Sequence, residues 1–453
     1  MDSYSPGIQA YIEQGRQIME REQNQRNTMR QKKFDTIAVH GLYDMQAALS
    51  NQGSIIEPAF LSTAQHFASS DHMEAGLAYL MPAWTYARVA NPTLHYLEET
   101  LALLEGYGFT GEVSAHLTGS GMAAVFLGTN PFLMDDPNYT KPNIVASARC
   151  YGGTFTLFTR YAKERGIDLR WVREPLDLNE WASKIDAETR FVFGEMPANP
   201  SLAVIDLQAV ADLAHAVNAP FIVDSTIATP ALMRPLLHGA DIIVHSVSKS
   251  MSTSGFVIAG AIIAHANIPS KVGPDELRIN YPMYVKGYPH RDMGPTLNPF
   301  SALLTLNDLR TLRMRTDISS QTAMTVARFL LNHPAVESVQ YPGLPDFPGY
   351  QTAARYMQLV DATGEDAARF SYLLSFNIRG GASVTRQVFD RLQMIWRATD
   401  LGRVKSVATI PMISTHQQIT DKDIAGLQAN LIRLSVGLEH PDDIIADLDQ
   451  ALI

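Results

Sequence analysis

Apolar runs and helical repeats alternate through the middle of this sequence. Leu94, Leu97, Leu101 and Leu104 recur at helical spacing and predict an amphipathic helix from Leu94 to Glu105, closed by Gly106. Between residues 115 and 265, short apolar runs at Asn143 to Ala146, Phe191 to Glu195, Phe221 to Asp224, Ile242 to His245 and Ala259 to Ile263 predict strands. Strands alternating with helical stretches need crossover connections, so the expected fold is α/β, with a mostly parallel sheet covered by helices. After Asn298-Pro299 the pattern predicts one long helix from Phe300 to about Asn332, ended by His333-Pro334. Strands at Val336 to Gln340, Tyr372 to Ile378 and Lys405 to Thr409 then predict a second, smaller α/β unit.

The beginning of the chain is different in kind. Ile8 to Lys33 is a polar helix, either an oligomer-contacting arm or a surface helix. Phe34 to Tyr86, broken by Gly53, Pro58 and Pro82, predicts an extended arm. The expected division is therefore 1–90 for helix and arm, 91–310 for a large domain and 311–453 for a smaller C-terminal domain.

Composition narrows the class. At 453 residues the chain exceeds the size of a single core, which implies two or three structural units. With 46% hydrophobic and 18% charged residues, and no apolar run long enough to cross a bilayer, the expectation is a soluble globular protein with no membrane partner. A formal charge of −10 argues against a nucleic-acid partner, which would call for a basic face. Cys150 is the only cysteine, which excludes an intrachain disulfide and a cysteine-rich metal site and leads to an expected cytoplasmic location. Cys150 reads as an inert small hydrophobe and His245 as a structural histidine.

The chemistry concentrates between Phe221 and Gly260, in FIVDSTIATP, ADIIVHSVSKS and FVIAG. Asp224 ends one strand and Ser246-Val-Ser248-Lys249 follows another, so both project into the crevice at the carboxyl ends of the sheet, where α/β proteins bind ligands. Pyridoxal phosphate (PLP) needs a lysine for an imine, an acid for its ring nitrogen and a phosphate pocket of N–H groups and hydroxyls. Thr118-Gly-Ser-Gly121-Met122 opens a helix-like stretch, and a helix N-terminus entered through glycines is a ready anion site. A dinucleotide-binding oxidoreductase is disfavoured because no Gly-x-Gly-x-x-Gly follows an early strand.

Taken in order, Tyr86-Ala-Arg88 with Asn91-Pro92-Thr93, Gly121-Met122, Tyr151-Gly-Gly-Thr154, Glu195-Met-Pro-Ala-Asn199-Pro200, Asp224-Ser-Thr226, Ser246-Val-Ser248-Lys249 and Leu431-Ile-Arg433-Leu-Ser-Val-Gly437 resemble the PLP-dependent enzymes of Cys/Met metabolism. The resemblance runs from about Phe34 onward. It implies the PLP-dependent transferase fold type I, with 91–310 as the PLP-binding domain. It also implies a homotetramer, a dimer of dimers, whose 1–90 arm contacts the partner subunit.

By the same resemblance, Lys249 carries PLP and moves protons, Asp224 holds the ring nitrogen protonated, and Tyr151 stacks on the ring and shares in catalysis. Gly121, Met122, Ser246 and Ser248 hold the phosphate, helped by Tyr86 and Arg88 from a partner subunit. Asn199 touches the ring hydroxyl, and Arg433 grips the carboxylate of a small amino-acid substrate.

Three features depart from the family pattern. Ser250 to Gly255 replaces an aromatic residue followed by Gly-Gly-His. Ser225 and Ser248 stand for the usual Asn and Thr. Asp400 replaces Ser or Asn, and is expected to pair with Arg403 or Lys405 or to meet a donor on the substrate.

Lys405-Ser406, Arg291-Asp-Met-Gly294 and Asn298-Pro-Phe300 look most like the O-acetylhomoserine sulfhydrylase branch. The implied reaction is γ-replacement, or γ-elimination, on an activated homoserine-type amino acid through a vinylglycine-type intermediate. The alternatives are a β- or γ-lyase releasing a 2-oxo acid and ammonia, and a catalytically altered PLP-binding tetramer with a regulatory or structural role.

Overall fold

A computed structural model describes residues 4–134, 141–363, 367–417 and 426–453. Seven strands form the first sheet: β1 (Val113–Thr118), β2 (Asn143–Ser147), β3 (Asp168–Val172), β4 (Thr189–Glu195), β5 (Phe221–Asp224), β6 (Ile242–His245) and β7 (Gly260–His265). Their order is β1-β7-β6-β5-β4-β2-β3; β7 runs antiparallel to both its neighbours, and the remaining pairs are parallel.

The central strands are buried on both sides, which is why they read as unbroken apolar runs rather than alternating ones. Successive side chains nevertheless serve two different cores. Val145, Val192, Val223, Ile243 and Ile263 join Leu97, Leu101 and Leu104 of the helix Pro92–Glu105 and Leu207 and Val210 of the helix Leu207–Ala216. Ile144, Phe191, Phe193, Ile222, Val244 and Ile262 pack instead with Val125 and Leu127 of the helix Gly121–Thr129 and with Phe155 and Phe158 of the helix Gly152–Arg165.

The second sheet comprises β8 (Val336–Gln340), β9 (Leu373–Ile378), β10 (Trp396–Arg397), β11 (Val407–Thr409) and β12 (Leu431–Ser435), in the order β10-β11-β12-β9-β8. It shares the larger core: Leu374, Phe376, Ile432 and Leu434 pack in the cluster that lines the first face of the seven-stranded sheet. Among the described residues no helix is long and apolar enough to cross a membrane.

Several expected elements differ. The arm from Phe34 to Tyr86 holds three short helices, Phe34–His40, Met45–Ser50 and Ser70–Leu77, two of them capped by the side chains of Asp44 and Ser69. Phe34 and Ile37 are buried in the main core, so docking rather than periodicity stabilises the first of them. The long helix after Asn298-Pro299 is two helices, Pro299–Leu309 and Leu312–Leu331. No Gly or Pro marks the break. The Arg315 guanidinium takes the freed Asp308 carbonyl at 2.7 Å and the Thr311 hydroxyl at 3.0 Å.

Strands β1, β3, β10 and β12 were not expected as strands. β3 has a largely exposed or half-buried edge pattern, and β12 carries an arginine inside an apolar run. The helix Pro92–Glu105 anchors the first face through Leu101, which is fully buried. Leu101→Ala is expected to lower stability by ~2–5 kcal/mol, measured by urea denaturation followed by circular dichroism.

Candidate active site

The parallel strands β4, β5 and β6 end together, and their carboxyl ends open on a cavity of about 440 Å³. Its lining includes Gly121, Met122, Tyr151, Asn199, Asp224, Ser246, Ser248, Lys249, Asp400 and Arg433. Ten of the twelve residues selected from the sequence therefore meet in one place. Tyr86 and Arg88 do not line it. Tyr86 is exposed, and Arg88 lies over the Tyr86 ring while donating to the Arg291 carbonyl.

Glu195 and Asp224 are register partners at the ends of β4 and β5. Burial raises the Asp224 carboxyl above its usual range, and two hydrogen bonds from Thr226 oppose the shift only in part. Both of those bonds, from the Thr226 amide at 3.0 Å and its hydroxyl at 2.6 Å, fall on Oδ1. Oδ2 is left for a ligand. Glu195 is raised further, by burial and then by the neighbouring Asp224, although it accepts from the Tyr151 amide at 2.6 Å and the Asn199 amide at 2.7 Å. Two buried carboxyls side by side favour a cationic ring nitrogen between protein and ligand.

At the opposite end of the cavity, the helix Gly121–Thr129 begins with the Ser120 side chain accepting from the Ala123 amide. The first N–H groups of such a helix have no intrahelical acceptor and favour an anion. Gly121 is required here, since a Cβ would lie 2.6 Å from the Ser246 Cβ and 2.7 Å from its hydroxyl. The Ser246 amide is fixed by the Thr226 hydroxyl at 2.7 Å, so Thr226 joins the acid to the anion end. Ser248 lines the cavity, but its hydroxyl both donates to the Ala259 carbonyl and accepts from the Ala259 amide, each at 2.9 Å. Its role is first a clamp on β7's approach.

Tyr151 caps the helix Gly152–Arg165 and stays partly exposed in the cavity wall. A Cβ on Gly153 would come within 2.6 Å of its ring, so the glycine makes room for the aromatic.

Arg433, on β12, is fully buried, and burial lowers its guanidinium to about 10. One terminal nitrogen donates to Asn199 Oδ1 at 3.0 Å and the other to the Asp400 carbonyl at 2.8 Å, while Nε is buried without a partner. Burying a guanidinium this way is costly unless an anion completes it.

Asp400 does not pair with Lys405, whose ammonium sits over the Trp396 ring at 4.7 Å. Its carboxylate meets Lys249 Nζ at 2.9 Å and Arg403 Nε at 2.5 Å. Burial pushes the Asp400 carboxyl up, but the two cations outweigh it and hold the group below the usual range.

His245 and Cys150 behave as expected of structural residues. His245 pairs with buried Glu105 at 2.5 Å, and burial raises the Cys150 thiol well above its ordinary value. Three further site residues gave little sequence signal on their own: Glu195 and Thr226, which lay inside quoted motifs, and His416, which lay in none. His416 packs against Gly152, and burial followed by the charge of Arg433 lowers it to about 4.

A lysine and an acid at neighbouring strand ends, with an anion-ready helix N-terminus opposite them, define a PLP site of the fold type I class, and the donors present fit that cofactor in charge and kind. The chain belongs to the Cys/Met metabolism PLP-dependent enzymes, whose family pattern matches residues 35–453.

It is 34% identical to an O-acetyl-L-homoserine sulfhydrylase of Corynebacterium glutamicum, over 92% of this chain and 96% of the relative. It is 32% identical to an L-methionine gamma-lyase of Pseudomonas deceptionensis, over 92% and 97%. The structure of a cystathionine gamma synthase from Xanthomonas oryzae pv. oryzae in complex with cystathionine superposes with a TM-score of 0.80 at 30% identity, covering 93% of this chain and 98% of that one.

The depressed His416 makes stability depend on pH with a definite sign. Folded His416 resists protonation down to about 4, whereas the unfolded residue takes a proton near 6.5, so its contribution is complete above 6.5 and is lost as pH falls from there toward 4. His416→Asn is expected to flatten that part of the stability profile, read by thermal melts across the range.

Proposed function

We propose that this chain catalyses γ-replacement on an activated homoserine-type amino acid, with PLP held on Lys249. The observation that carries the reading is the convergence of Lys249, Asp224 and the incompletely partnered Arg433 on one cavity. The names of similar proteins, an O-acetyl-L-homoserine sulfhydrylase and an L-methionine gamma-lyase, support chemistry at the γ-carbon.

PLP, when bound, supplies a ring that accepts the electron pair left at Cα. The remaining work belongs to side chains. Asp224 stays ionised against the ring nitrogen and keeps it protonated, with Thr226 fixing its other oxygen. Gly121, Met122 and Ser246 hold the phosphate. Ser248 has only its remaining lone pair free unless its hydroxyl turns from Ala259. Tyr151 covers the ring, and Asn199 orients both ring and Arg433.

Arg433 takes the substrate α-carboxylate through its free Nε edge, which sets Cα within reach of Lys249. Lys249 removes the proton from Cα and then from Cβ, and the γ-substituent leaves with its bonding pair. A sulfide or thiol nucleophile then bonds to Cγ, and protons return to Cβ and Cα. Without a nucleophile, water instead releases a 2-oxo acid and ammonia. The methionine gamma-lyase similarity favours this lyase outcome as the second reading.

The reading extends to the assembly. Tyr86 and Arg88, exposed and outside the cavity of their own chain, are suited to reach the phosphate of a partner's site, as a dimer of dimers would arrange. A cytoplasmic enzyme fits this chemistry.

Incubating O-acetyl- or O-succinyl-homoserine and methionine with the protein, with and without sulfide, tests the reaction. Thiol product formed only with sulfide supports replacement, and 2-oxo acid irrespective of sulfide supports the lyase. Lys249→Ala is expected to abolish turnover. Arg433→Gln is expected to raise KM for the amino acid by about tenfold to a hundredfold while leaving the cofactor absorbance in place, since a charge-assisted bond contributes about 1.5–3 kcal/mol.

A further inference from the structure

The helix Pro6–Arg30 precedes the part of the chain that the family pattern matches, which begins at residue 35, and none of its residues lines the PLP cavity. It is nevertheless fastened at both ends. Its first half rests on the arm: Ile8 is buried with Ala75 and Met81 in a small cluster separate from both sheet cores, and the Tyr11 ring stacks on His72 at 4.7 Å. Gly15 is buried against the arm's backbone, where a Cβ would lie 2.7 Å from the Met81 Cβ and 3.0 Å from its Cα. No larger residue fits that seat.

The second half is tied to the helix Pro92–Glu105. Arg26 meets Glu99 with two nitrogens, Nε on one carboxylate oxygen at 2.5 Å and Nη2 on the other at 2.7 Å, and Glu22 meets His95 at 3.3 Å. A two-pronged pair of this kind fixes orientation as well as distance.

Tyr86-Ala-Arg88 lies between the two attachments. Residues 78–91 contain no helix or strand, and Tyr86 has only an isolated bridge to Ala64. The Arg88 carbonyl is held from the other side, by His290 Nε2 and the Thr296 hydroxyl, both at 3.1 Å. On the Tyr86 side the approach runs through Met81 and through Trp84, whose ring lies 5.4 Å from that of His95. Met81 and His95 are the places where the first helix takes hold. Because Arg88 lies over the Tyr86 ring, the two side chains move as a unit.

We propose that Gly15 and Arg26 are positioning residues for Tyr86 and Arg88: through them the helix Pro6–Arg30 straps the irregular segment on both sides and holds the two side chains where the cofactor phosphate of a partner's site meets them. This rests on the reading that Tyr86 and Arg88 serve a partner's phosphate. A segment free to wander must be ordered when its ligand binds, and that ordering is subtracted from affinity. The strap makes the ordering part of folding instead.

Full-length chain stripped of cofactor is titrated with PLP and, separately, with pyridoxal, which lacks the phosphate, and binding is read from the lysine-bound absorbance. Gly15→Leu blocks the seat on Met81 while favouring the helix itself. It is expected to weaken PLP by about tenfold and to leave pyridoxal unchanged. Arg26→Gln is expected to act in the same direction and guards against a Gly15 variant that fails to fold. Exchanging the charges, as Arg26→Glu with Glu99→Arg, is expected to restore PLP affinity.

PLP and pyridoxal weakened alike overturns the proposal, because a general loss of packing does not single out the phosphate. A loss of PLP affinity that tracks dissociation into single chains, followed by light scattering, overturns it as well. Unchanged PLP affinity in both Gly15→Leu and Arg26→Gln, where Arg88→Gln weakens PLP alone, overturns the part assigned to the helix. If Arg88→Gln leaves the preference for PLP over pyridoxal untouched, the assignment of Arg88 to the phosphate falls, and the proposal with it.

Discussion

Two carboxyl groups lie side by side, buried, at the ends of neighbouring parallel strands, and much of the site follows from that arrangement. Glu195 and Asp224 are brought together by sheet register, and among the described residues neither is hydrogen-bonded by a lysine or arginine. Burial penalises the charge of both, and Asp224 adds to the penalty on Glu195. The protein answers with hydrogen bonds placed on particular oxygens: two backbone amides on Glu195 and the Thr226 pair on Asp224. What remains is one open carboxylate oxygen in a cavity, which a protonated ring nitrogen would complement in charge.

The Arg433 end of the cavity is built on different ground. Arg433 belongs to the second sheet, yet its partners are Asn199, just after β4 of the first sheet, and the carbonyl of Asp400. Asp400 in turn reaches back to Lys249, and Arg403 to Ser252. This end of the cavity therefore exists only where the two sheets are packed together. A change in that packing would alter the surroundings of Arg433 and Lys249 at once, while the strand-end acid and the helix N-terminus would be left in place.

The expected central strands lie close to the observed ones because a strand buried on both faces must be apolar throughout, and short apolar runs between helical stretches have few other uses. Edge and interface elements were less legible. β3 alternates polar with apolar side chains at the sheet margin, β12 carries a buried arginine, and the helix Phe34–His40 is too short to be stable without the core that Phe34 and Ile37 enter. The break at residues 310–311 depends on an arginine capturing a carbonyl, for which no local residue pattern exists.

Ordered motifs in the amino-acid sequence determined the family, the cofactor and ten residues that line one cavity, because cofactor chemistry restricts residue type and strand ends restrict position. Only the tertiary structure decided what the unusual residues do. It set Asp400 on Lys249 and Arg403 rather than on Lys405, engaged the Ser248 hydroxyl with Ala259, and brought buried His416 within reach of the Arg433 charge. The pairing of Lys249 with Asp400 spans 151 positions and the others are shorter, but none of them follows a local residue pattern. Burial and charge balance select them once the two sheets meet.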